Sequence, residues 1–184
     1  MESKRTHEEL IEILDRTVTW TDNCDSKTSI ILGGLGVIAG IFLASDYVSK
    51  IIEIIRFMTS HINVWSVIYL VLFYGSIAVL LAGCLFLFRV LISVTDTKSY
   101  KDREVKEESL VFFSSIAKNK TLSAYKKKVQ KTDNAQFEED IISQLYVCSI
   151  ICDAKFRNYK TGLLLSLLGF GIFLVTAIVG VIIT

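Results

Sequence analysis

TGLLLSLLGFGIFLVTAIVGVIIT, residues 161–184, runs 24 residues without a charged side chain. An α-helix rises about 1.5 Å per residue, so ~20 apolar residues cross a hydrocarbon core about 30 Å thick. A soluble helix of this length would keep a polar face, and a strand would be far shorter. The stretch therefore predicts a membrane-spanning helix. Gly162, Ser166, Gly169, Thr176 and Gly180 fall on one stripe of it at steps of 4, 3, 7 and 4, with Phe173 the one bulky member. Small residues on one face let helix backbones approach closely in lipid.

Two more stretches read the same way. Residues 28–45 (TSIILGGLGVIAGIFLAS) are uncharged for 18 residues between Lys27 and Asp46, and Ser29, Gly33, Gly36, Gly40 and Ala44 recur at steps of three and four. Between Arg56 and Arg89 nothing is charged, and 64–88 forms the middle span, with Trp65, Tyr69 and Tyr74 toward one end. Trp and Tyr favour the headgroup level, which marks that end as interfacial. The expected fold is an all-α membrane protein with three transmembrane helices and a helical cytosolic segment between the second and third.

The intervening segments are polar and periodic. Residues 6–20 place Leu10, Ile11, Leu14 and Val18 on one helical face, with Glu8, Glu9, Glu12 and Asp15 over much of the rest. Segment 46–63 mixes isoleucines with Lys50, Glu53 and Arg56, the pattern of an interfacial helix. Val105–Ala117 reads as helical, 118–131 is rich in lysine, and 137–159 returns to a 3.6-residue period that runs toward the third span with no Gly or Pro before Gly162. The expected divisions are a cytosolic amphipathic helix at 1–27, a first span at 28–45, an interfacial segment at 46–63, a second span at 64–88, a cytosolic helical domain at 89–160 and a third span at 161–184.

Charge sets the expected orientation. Four Lys/Arg precede Thr28, two lie in 46–63 and fourteen lie in 89–160. Positive loops stay inside, which puts the N-terminus and the 89–160 segment in the cytosol and Thr184 at the outer surface. The first 27 residues carry seven acids and no apolar run of signal-peptide length, so no cleavable export signal is expected. The whole chain carries a formal charge of only +1 and gives no global argument for nucleic-acid binding.

Catalytic chemistry is not expected. The chain has no nucleophile elbow, no P-loop and two histidines, and Glu138, Glu139 and Asp140 are neighbours in sequence rather than on a shared face. Cys148 and Cys152 share a helix face but lack further ligands for zinc, so no metal or cofactor is expected. Cys24, Cys84, Cys148 and Cys152 read as small buried thiols.

Cys24-Asp25-Ser26-Lys27 before the first span is echoed by Cys152-Asp153-Ala154-Lys155 before the third. Trp20, then Asp25-Ser26-Lys27-Thr28-Ser29, then the glycine-rich span, resemble the start of the Pycsar effector family and the related SLATT-type membrane effectors. Val111-Phe112-Phe113, Gln144-Leu145-Tyr146 and Lys155-Phe156-Arg157 are similar to that family's later pattern of a phenylalanine-containing cytosolic helix and a helix leading back to the membrane. The resemblance implies anti-phage defence, in which the effector damages the inner membrane after a partner nucleotidyltransferase or cyclase makes a nucleotide second messenger or oligonucleotide. The chain shows no β-roll with a phosphate cassette, which leaves the ligand's identity open.

Site candidates follow from placement. Asp25 and Lys27 stand at the cytosolic mouth of the first span, with Asp153 and Lys155 near that of the third. Interfacial anchoring explains them, and so does a ring of charge around a gate shared by several copies. Ser29, Gly33, Gly36 and Gly40, with Gly162, Ser166, Gly169, Thr176 and Gly180, are the gate or pore candidates. Lys118, Lys120, Tyr125, Lys126, Lys127, Lys128 and Lys131 are the ligand or partner candidates, suited to phosphates, anionic membrane lipid or a direct partner enzyme. One copy with three spans makes a poor conduit, so a gated pore requires a homo-oligomer. The rival expectation is a non-conducting scaffold or regulatory subunit that binds a cytosolic protein.

Overall fold

A computed structural model describes residues 7–44, 46–92 and 109–183. Ser45, Thr184, residues 1–6 and 93–108, and with them the expected helix start at Val105, lie outside the described residues. The described chain is all helical: α1 His7–Ala44, α2 Tyr47–Ser60, α3 Val64–Leu91, α4 Phe113–Ala117, α5 Leu122–Lys131 and α6 Asn134–Ile183. Helices α1, α3 and α6 are long and apolar enough to cross a membrane. The protein is an all-α membrane protein with three such helices.

The helix ends follow local chemistry. Asn63 begins α3, its side chain accepting from the Ser66 amide at 2.8 Å. Thr121 does the same for α5 through the Ala124 amide, and Asp133 for α6 through the Gln136 amide at 2.8 Å. Such caps satisfy amides that the first turn of a helix leaves without partners. Along α1, Thr17, Thr19, Thr21, Thr28 and Ser29 each donate to the carbonyl four residues back. Hydroxyls satisfied by their own helix can sit in apolar surroundings at little cost.

The chain forms two compact units. The polar unit holds residues 1–23 and 93–155, and the apolar unit holds 24–92 and 156–184. In the polar unit Leu10, Thr17 and Ile141 are buried, and the His7 and Phe137 rings stack at 5.9 Å. Residues 109–112 are not helical there: the Ser109 hydroxyl accepts from the Val111 and Phe112 amides, so the helix is confined to Phe113–Ala117.

The core of the apolar unit joins α2 and α3 through Ile54, Met58, Tyr69 and Phe73. Phe173 of α6 lies 5.7 Å from the Phe42 ring of α1 and 5.7 Å from the Phe73 ring of α3. The bulky residue that interrupts the small-residue stripe of α6 is therefore the ring through which α1, α3 and α6 meet.

Candidate functional site

Helices α3 and α6 run antiparallel with their backbones in contact. A methyl group placed on Gly83 would lie 2.5 Å from the Ser166 amide and hydroxyl, and one on Gly169 would lie 2.5 Å from the Leu80 amide. Gly162 meets Leu87 in the same way, at 2.9 Å. Toward the other end the Tyr69 hydroxyl donates to the Thr176 carbonyl at 3.0 Å, and a side chain on Gly180 would collide with that hydroxyl. The stripe Gly162, Ser166, Gly169, Thr176 and Gly180 is thus brought together as one seam, spent on packing within the chain.

Gly33, Gly36 and Gly40 behave differently. Nothing lies within 4 Å of a side chain built on any of them, and Ser29 is exposed. The groove on α1 is open while the one on α6 is filled. Ser166 adds a polar peculiarity: its hydroxyl is buried against Gly83 and has no hydrogen-bond partner among the described residues.

Sequence reading also missed the buried face of α3, which packs on α2 as well as on α6. Ser66, Tyr69, Phe73, Ser76, Gly83, Leu87 and Val90 are the buried residues of α3, and they alternate by threes and fours or their sums. Ser76 and Gly83, small residues among leucines and valines, were the available signal.

In the polar unit the basic candidates share one exposed stretch. Residues 109–132 contain six lysines and no acid, and neither α4 nor α5 buries a residue. Lys118, Lys120, Lys126, Lys127, Lys128 and Lys131 are all exposed, whereas Tyr125 is half-buried. The Tyr125 hydroxyl donates to the Leu110 carbonyl at 2.9 Å, and the Leu110 amide donates to Asp140 Oδ2 at 2.6 Å. The C=O and N–H of one residue, on two successive peptide groups, are thus held by α5 and by α6. Asp140 is buried, and its second carboxylate oxygen has no partner among the described residues.

Asp25 and Lys27 belong to the apolar unit, and Asp153 and Lys155 to the polar one. Lys27 is exposed, whereas Lys155 is buried and engaged. Cys148 lies four residues from the buried Cys152, and burial first, then Cys152, pushes its thiol above the ordinary range. Among the described residues no three His, Cys, Asp or Glu side chains group to hold a metal.

Comparison with known proteins fits this architecture. Residues 9–183 match the family model described as Pycsar effector protein domain. The chain is similar to the Pycsar effector protein GmPycTM of Gulbenkiania mobilis, 28% identical over 166 residues that cover 84% of this chain and 83% of that protein. No solved structure matches it.

Proposed function

The chain belongs to the Pycsar effector family, a membrane effector of anti-phage defence, and from that membership we propose that several copies assemble in the bacterial inner membrane into a gated pore. The signal is a nucleotide made by a partner cyclase or nucleotidyltransferase, and the N-terminus and the polar unit face the cytosol. One observation carries this reading: the glycine face of α1 is open, whereas the small-residue face of α6 is closed against α3.

The consequence is geometric. Where a side chain on Gly83 or Gly169 would approach α3 or α6 backbone at 2.5 Å, no width remains for water. A water path then has to form between copies, and the open groove of α1 is the surface shaped for close helix contact between them. The described parts of the spans carry no charged side chain, so such a pore is lined by small, hydroxyl-bearing and apolar residues, a lining that favours gating by dewetting and weak ion selectivity. A ligand opens it only by binding the open arrangement more tightly than the closed one. The exposed lysines of 118–131 supply charge for the nucleotide's phosphates or for a partner, and the binding residues of the ligand are sought there first.

Planar bilayers containing the purified protein test the proposal. Addition of the cognate cyclase product should produce current, and Gly36→Leu should abolish it while the folded monomer persists. Protein that stays silent with every candidate nucleotide would instead act as a non-conducting scaffold.

A further inference from the structure

The near-zero net charge of the chain conceals a segregation within the polar unit. On α1, Glu8, Glu12, Asp15, Thr19 and Asp22 follow steps of 4, 3, 4 and 3. That spacing holds them on a single stripe about 80° wide. The stripe lies opposite the buried Leu10 and Thr17, and all five of its residues are exposed. Among the described residues Arg16 is the cation beside it, and there it reaches Glu12 alone, at 2.8 Å. Glu8, Asp15 and Asp22 make no ion pair among the described residues. Ile11 and Val18, each 42% exposed, border the stripe.

The α5 surface is its counterpart. Lys126, Lys127 and Lys131 fall within an arc of about 140° on α5, and Leu122 and Val129 border that arc on the Lys126 side, turned away from Lys127 and Lys131. Leu122 is 81% exposed, and Lys126, Lys127 and Lys131 make no ion pair among the described residues. On each surface, charges of one sign that make no ion pair among the described residues border apolar side chains left in water. Like charges three and four residues apart repel along both helices. An opposing face of the other sign would remove both penalties.

We propose that the acidic stripe of α1 in one copy docks on the lysine face of α5 in the next. The occupant is a second copy of this chain because the same unit displays both halves of the complement, in charge and in exposed apolar residues. The two halves are different surfaces, so each copy has one to offer and one to receive, the kind of contact that builds rings. The inference rests on the homo-oligomeric reading above and adds a contact to it: the α1 glycine face joins copies in lipid, and the charged faces join them in the aqueous phase.

Charge exchange tests it on the full chain in lipid nanodiscs, with carbodiimide coupling of lysine to carboxylate as the readout and thermal unfolding as the check on folding. Wild type mixed with an isotope-labelled copy should give intermolecular links between Lys126–Lys131 and Glu8–Asp22. The K126E/K127E/K131E protein and the E8K/E12K/D15K protein should each fall about tenfold or more in assembled fraction, since like charges then face each other. Co-expression of the two should restore assembly, because every interface is again opposite in sign, and so should all six changes in one chain. Assembly of either triple variant at the wild-type level overturns the inference, as does failure of both restorations. Loss confined to the lysine variant overturns it too, and assigns α5 to a different anionic partner. Wild type that is monomeric in nanodiscs overturns the oligomeric reading itself.

Discussion

At the scale of single residues, the glycines of α6 sort by what surrounds them. Gly169 sits against the backbone of Leu80, whereas Gly171, two positions on, has nothing within 4 Å. Gly169→Leu should therefore cost roughly 1–3 kcal/mol by forcing α3 and α6 apart, and Gly171→Leu should leave thermal unfolding in detergent unchanged. Tyr69→Phe removes one interhelical hydrogen bond, worth only about 0.6 kcal/mol on average in membranes because unfolded helices also find partners. Its effect should be visible by unfolding in mild denaturant but not in growth assays. Cys148 offers a pH test. Its raised pKa means that folding favours the neutral thiol, so this contribution to stability is full below the unfolded pKa and is lost as pH rises through the folded one. Alkylation of Cys148 at pH 7 should run slower than that of a free thiol and accelerate into the alkaline range, as followed by mass spectrometry.

Elements show what periodicity can and cannot reveal. The small-residue stripe of α6 and the glycines of α1 were both legible as surfaces for close contact. Which of them the chain itself would fill was not, because the choice depends on Leu80, Gly83 and Leu87 of a third helix. Span 64–88 is so uniformly apolar that its packed face is marked by little more than Ser66, Ser76 and Gly83. The stretch ending at Ala117 read as helical from its composition, but the Ser109 hydroxyl takes two amides that a helix would need, a local competition that hydrophobic patterning does not register. The Leu110 C=O and N–H are then held by Tyr125 and Asp140. Asp140→Ala should remove the acceptor of the half-buried Leu110 amide at a cost of roughly 1 kcal/mol. Limited proteolysis should detect it as faster cleavage at residues 109–112 with α6 intact.

For the whole molecule, three charge-free stretches decided the fold, and the helices that carry them are the three long and apolar enough to cross a membrane. Orientation is a matter of where the lysines lie, and it is directly testable. Lys127→Cys should resist a membrane-impermeant maleimide added to intact cells and react once the inner membrane is permeabilised. The open glycines of α1 bear on how such a protein is handled in the laboratory. A helix that presents bare backbone along one side offers a slot that an acyl chain or a surfactant tail fills as readily as a neighbouring helix. Stoichiometry measured after solubilisation should consequently vary with the surfactant's tail length and headgroup, and the number of copies is best counted by photobleaching in native membranes.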